Sequence, residues 1–153
     1  MNEDPKPFVV LLADDDPDDR EMTRKALLKN SLPIDLRSVP DGEELLDYLR
    51  RRGNYAPPAS APTPHLILLD LNMPKKDGRE ALAEIKADAE LRPIPVVVMT
   101  TSKAELDIAK TYHLGSSSFI SKPVTLSKLV EVMQVVGDYW FKVVMLPTVA
   151  DGA

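Results

Sequence analysis

Five times along this chain a strand-like run gives way to a helical pattern. Phe8-Val-Val-Leu-Leu-Ala13 runs into Asp14-Asp15-Asp16, and Leu66-Ile-Leu-Leu69 runs into Asp70. Pro93-Ile-Pro-Val-Val-Val-Met99 ends in Thr100-Thr101, and Ser117-Ser-Phe-Ile-Ser121 ends in Lys122-Pro123. The remaining run, Ile34 to Val39, alternates as a strand with one covered face does. Unbroken apolar runs bounded by turn residues predict strands buried on both faces, which is the signature of a parallel sheet. Alternation with helices then predicts an open, doubly wound α/β sheet, with the strand ends along one edge.

The helical segments carry their own punctuation. Asp16 and Pro17 predict an N-cap and first helical position, with the helix running to about Asn30 and Pro33 beyond it as a stop. Asp41-Gly-Glu-Glu44 predicts a capped second helix with Leu45, Leu46 and Leu49 inward and Gly53 at its end. Residues 54–64 hold four prolines and predict an extended surface loop. A third helix is expected from Gly78 to about Ala89, and a fourth from the capping box Ser102-Lys-Ala-Glu105 to near Gly115. Thr125 is placed to cap the last helix, whose core stripe would be Leu126, Leu129, Val130, Met133 and Val136.

The bulk numbers narrow the function classes. At 153 residues with 44% apolar content, one domain with a proper core is expected. The net charge of −5 offers no basic footprint for nucleic acid. With no cysteine, a disulfide or thiolate metal site is excluded, which fits a cytoplasmic protein. Neither a secretory leader nor an apolar run of membrane-spanning length is visible.

The polar strand ends converge on one kind of chemistry. Asp14 and Asp15 beside Asp70 supply hard oxygen ligands of the kind Mg²⁺ accepts. Lys122 supplies a point charge able to pair with a phosphoryl oxygen, and Thr100 a hydroxyl donor for another. A carboxylate so shielded can act as a covalent phosphoryl acceptor. Asp16 is read as a cap, Asp18 and Asp19 as surface charge, and His65 and His113 as structural.

These motifs together resemble the receiver domain of two-component response regulators, from about Phe8 to Gly137. The acidic pair, Leu-Asp70-Leu-Asn72-Met-Pro74 with Asp77-Gly78, Thr100 and Lys122-Pro123 all match. So does the spacing, with Thr100 lying 30 positions after Asp70 and Lys122 a further 22 on. The resemblance implies a flavodoxin-like sheet of strand order 2-1-3-4-5, with Asp70 accepting a phosphoryl group from a histidine kinase. It implies Mg²⁺ (or Mn²⁺) held by Asp15, Asp14, Asp70 and the Asn72 backbone carbonyl. Thr100 and Phe119 would be switch residues, and Phe119, lacking a hydroxyl, would act by packing alone. The chain would be a signalling protein rather than an enzyme, apart from autophosphorylation by small phosphodonors and autodephosphorylation. A phosphatase of the haloacid dehalogenase type would need an Asp two residues after the nucleophile, where Asn72 stands.

Residues 138–153 are expected to form an apolar C-terminal extension, with no output domain. A second apolar stripe, Val132, Val135 and Tyr139, leads into Trp140 and Phe141, and an acidic protein would not leave it bare. This ending resembles single-domain regulators paired with phytochrome-type photoreceptor kinases. A homodimer through Val132, Val135, Tyr139, Trp140 and Phe141 is therefore expected. A histidine phosphotransfer protein is a further candidate partner, and the chain could serve as a relay intermediate or phosphate sink.

Overall fold

Strands β1 (Phe8–Ala13), β2 (Ile34–Val39), β3 (Leu66–Leu69), β4 (Val96–Thr100) and β5 (Ser118–Ser121) form one sheet, in the order β2-β1-β3-β4-β5. Every neighbouring pair is parallel, as the apolar runs predict. Five helices connect and cover them: α1 (Pro17–Leu28), α2 (Gly42–Arg50), α3 (Gly78–Ala87), α4 (Glu105–Leu114) and α5 (Leu126–Asp138). The structure is a computed structural model that describes residues 6–30, 32–101, 105–123 and 125–147, with backbone alone at 105–107. The expected capping box at Ser102–Glu105 falls outside the described side chains.

The sheet separates two apolar layers. Leu11, Ile67, Leu69, Val96 and Val98 point to the side where Leu45, Leu46, Leu82 and Ile85 of α2 and α3 close the first core. Val10, Leu12, Leu66, Leu68, Val97 and Met99 point the other way, against Leu27 of α1 and Leu129, Met133 and Val136 of α5. The alternation follows from the two-residue period of a strand. All four residues of β3 are fully buried, and each such side chain is worth about 1.5–3 kcal/mol of burial. That central strand is therefore the least movable support available to Asp70, the residue at its end.

Local signals set the helix starts. The Asp16 carboxylate accepts from the Asp18 and Asp19 amides with Pro17 at the first position, and Asp41 accepts from the Glu44 amide. Asp77 accepts from Glu80, and Thr125 from Lys128. Gly78 has a stricter reason to be glycine. A β-carbon there would lie 2.2 Å from the Asp70 carbonyl oxygen and 2.7 Å from the Leu71 α-carbon. The start of α3 thus presses directly on the end of β3, with the Gly78 amide donating to the Leu71 carbonyl at 2.9 Å.

Several expectations need correction. The second helix ends at Arg50, and its left-handed cap is Arg51 (φ 51°), not Gly53, which opens a short 3₁₀ turn. Arg51 is held there by its guanidinium, which donates to the Ala61 carbonyl and the Thr63 hydroxyl. Those bonds offset a conformation that costs about 1–2 kcal/mol for a residue with a β-carbon. The proline-rich loop is accordingly not free: the Tyr48 hydroxyl donates to the Pro62 carbonyl at 2.8 Å, and Ala61 is buried. Leu126 leaves the expected core stripe and is exposed, because it occupies the first position after the Thr125 cap.

Beyond α5 the chain makes one π turn, Tyr139–Val143, and packs back on its own domain. Val132, Trp140 and Phe141 are half-buried against the second core. Phe141 stacks on Phe8 with centroids 4.3 Å apart, and Phe8 meets the edge of His65. The His65 Nδ1 accepts from the Val9 amide at 3.0 Å, and burial lowers its pKa, so the imidazole is structural. Val135, Tyr139, Val143 and Met145 remain exposed. Among the described residues, no helix is long and apolar enough to cross a membrane.

The contact at Gly78 leads to a prediction. Gly78→Ala must push α3 off the end of β3, and should destabilise the protein by about 2 kcal/mol, as overpacking does. Urea unfolding with an unchanged slope and a lowered midpoint is the expected result.

Candidate functional site

The C-terminal strand ends meet around one buried ammonium group. Backbone hydrogen bonds fix the frame first. The Asp14 amide donates to the Val39 carbonyl at 3.1 Å, and the Asp70 amide to the Ala13 carbonyl at 3.0 Å. These bonds carry the ladder one residue past the strands and set Asp14 and Asp70 side by side. The Lys122 amide donates to the Thr100 carbonyl at 2.8 Å, tying the end of β5 to β4. Arg20 closes the other side, donating from Nη1 to the Asp14 carbonyl at 2.7 Å.

The two central carboxylates are held alike. One oxygen of each accepts from the amide two residues on: Asp14 Oδ1 from Asp16 at 3.0 Å, and Asp70 Oδ1 from Asn72 at 3.2 Å. The other oxygen of each faces Lys122 Nζ, at 2.8 Å from Asp14 and 3.0 Å from Asp70. Both acids are thereby locked in rotation, with their remaining lone pairs turned into the site.

Burial makes this electrostatics strong. The side chains of Asp14 and Lys122 are only 1% and 7% exposed. Burial pushes the Asp14 carboxyl above its ordinary range, opposed by its hydrogen bond to Lys122. Burial alone would lower the Lys122 ammonium, but Asp14 and Asp70 outweigh it and hold the group above its usual value. Lys122 is therefore a fixed positive charge at neutral pH.

Asp14, Asp15 and Asp70 can each offer an oxygen such that all three lie within 4.8 Å of one another. Three carboxylate oxygens at this separation suit a hard divalent cation, which takes oxygen ligands. Asp15 is exposed, so the cluster opens to solvent on that side. Thr100 is fully buried at the end of β4, in the strand next to β3. Phe119, on β5, is half-buried against the first core, and its amide donates to the Tyr112 hydroxyl at 3.1 Å.

One member of the site reads as surface charge in the sequence. Asp19 Oδ2 lies 3.1 Å from Lys122 Nζ, making a third carboxylate on the same ammonium. The signal lies in the spacing. With Asp16 as cap, Asp19 falls three residues on, one helical turn over the cap and on the same side. Asp18 has no such placement.

Residues 10–134 match the family model described as the response regulator receiver domain. The chain is 39% identical to response regulator Rcp1 of Synechocystis sp. over 141 residues, covering 92% of this chain and 94% of that protein. The solved structure of the phosphorylated cyanobacterial phytochrome response regulator RcpA superposes with a TM-score of 0.86 at 40% identity, covering 94% and 100% of the two chains. The Mn²⁺-bound form of Rcp1 gives a TM-score of 0.85 at 39% identity, covering 93% and 100%.

The ammonium is the balancing charge for buried acids, so its removal should be costly. Lys122→Met is expected to lower unfolding free energy by about 3 kcal/mol in metal-free buffer, the scale for stripping one partner from a buried ion pair. Urea melts in the presence of a chelator measure it.

Proposed function

The chain belongs to the response regulator receiver domain family, and on that premise we propose that Asp70 accepts a phosphoryl group from a histidine kinase, with Mg²⁺ as cofactor. The observation that carries this is the double hold on Lys122 Nζ by Asp14 and Asp70, beside a three-carboxylate cluster. In the transfer, an Asp70 oxygen forms a bond to phosphorus as the donor's P–N bond breaks, and the donor nitrogen keeps the electron pair. A divalent cation held by Asp14, Asp15, Asp70 and the Asn72 carbonyl would supply charge neutralisation for the incoming oxygens. Lys122 turns from the Asp70 carboxylate to a phosphoryl oxygen. Thr100, next to β3 in the sheet, donates its hydroxyl to another oxygen, and Phe119 follows by repacking against the first core. Asn72 stands where an acid/base carboxylate would be needed for a hydrolase, which supports acceptor chemistry over phosphatase chemistry.

The output is a change of protein-binding surface, in a pathway fed by a phytochrome-type kinase. Similarity to phytochrome response regulators over nearly the whole chain supports that pairing. Incubation with Mg²⁺ and acetyl phosphate should add one phosphoryl group by intact mass. The gain should vanish in Asp70→Asn and when Mg²⁺ is chelated; a gain surviving Asp70→Asn refutes the assignment.

The bare residues that run from α5 into the turn after it support a homodimer. Val135, Tyr139 and Val143 recur every fourth residue, and Val143 is 70% exposed, a pattern that suits a second copy. Val135→Glu leaves the core untouched and should convert a dimer to a monomer in equilibrium sedimentation. A variant with the same mass as the parent chain contradicts the proposed face.

A further inference from the structure

Asp19 stands apart from the other acids around Lys122. It is not in the cluster whose oxygens converge for a cation, which comprises Asp14, Asp15 and Asp70. Its side chain is 33% exposed, and its backbone is set by the first turn of α1, where its amide donates to Asp16 Oδ1. Yet its Oδ2 sits 3.1 Å from Lys122 Nζ.

An ammonium group has three N–H donors, and among the described residues Asp14, Asp19 and Asp70 are the carboxylates it meets. Two of these acids have other duties. A divalent cation would draw on Asp14 and Asp70, and phosphorylation turns one Asp70 oxygen into the bridging oxygen of an acyl phosphate. Both events loosen the hold on Lys122 at the moment its charge is needed. A lysine side chain is flexible and well hydrated, so an unheld ammonium would swing toward water. Asp19 has no competing duty.

We infer that Asp19 is a positioning residue, which keeps the Lys122 ammonium over the strand ends while Asp14 and Asp70 turn to the cation and the phosphoryl group. The inference rests on the reading of Asp70 as phosphoacceptor. The bland alternative is an acid placed in the first helical turn, favourable to the helix dipole and indifferent to Lys122. The two differ in what happens when the lysine is absent.

The test is a double-mutant cycle in the full chain, combining Asp19→Asn with Lys122→Ala. The first readout is the initial rate of Asp70 phosphorylation by acetyl phosphate at saturating Mg²⁺. Asp19→Asn should slow it about tenfold, in the range found for partners that orient a site residue. Asp19→Glu, which keeps the charge within reach, should restore most of the rate. The second readout is the urea midpoint in metal-free buffer, which does not depend on phosphorylation. There Asp19→Asn should lower the midpoint in the Lys122 protein and leave it unchanged in the Lys122→Ala protein. An unchanged rate in Asp19→Asn, or a midpoint loss equal in both backgrounds, overturns the positioning role. Failure of the parent chain to gain a phosphoryl group on Asp70 overturns the acceptor reading instead, which separates the two.

Discussion

One buried ammonium group holds the functional edge of this sheet together. Lys122 reaches carboxylates from the end of β1, from the first turn of α1 and from the end of β3. Removing such acids from water is expensive, and only a close, fixed counter-charge makes it tolerable. The lysine's own backbone is in turn bonded to the end of β4. Charge balance thus couples four elements that share little else at that edge.

The apolar layers make that arrangement rigid enough to matter. β3 is buried on both faces, so Asp70 leaves it from a position that cannot shift without disturbing both cores. Gly78 then brings the α3 start against the Asp70 carbonyl, which fixes the backbone on the far side of the carboxylate. Between these two constraints the Asp70 side chain has rotational freedom and little else, and hydrogen bonds from Asn72 and Lys122 remove the rotation. Site order at the tip therefore derives from packing order beneath it.

Features that rest on a single element are legible in the sequence. Strand runs, caps at Asp16, Asp41 and Thr125, and the polar residues at strand ends are all local signals, and all appear where expected. The misses depend on contacts between distant segments. Arg51 adopts the left-handed cap because Ala61 and Thr63 come back to bond it, a fact absent from the residues near Gly53. Trp140 and Phe141 read as contacts for a second copy, yet Phe141 stacks on Phe8 near the other end of its own chain. Asp19 reads as solvent-facing because its partner Lys122 is 103 positions away. Period and propensity carry no information about such pairings.

The charge count of the site links its stability to its chemistry. Asp14, Asp19 and Asp70 meet Lys122, Asp15 joins Asp14 and Asp70 in the acidic cluster, and the Arg20 guanidinium is bonded to the Asp14 carbonyl nearby. Four acids against two bases leave two negative charges, which is the charge of one divalent cation. A site so balanced would tolerate the cation and resist a bare anion. An incoming phosphoryl group adds negative charge to a place with one mobile cationic side chain. Lys122 is the group that must respond, and it can do so only by changing its allegiance among the carboxylates. With Asp70 as the phosphoacceptor, the lysine would be both the mortar of the resting site and the part that moves when the charge changes, so stability and signalling would draw on the same contact.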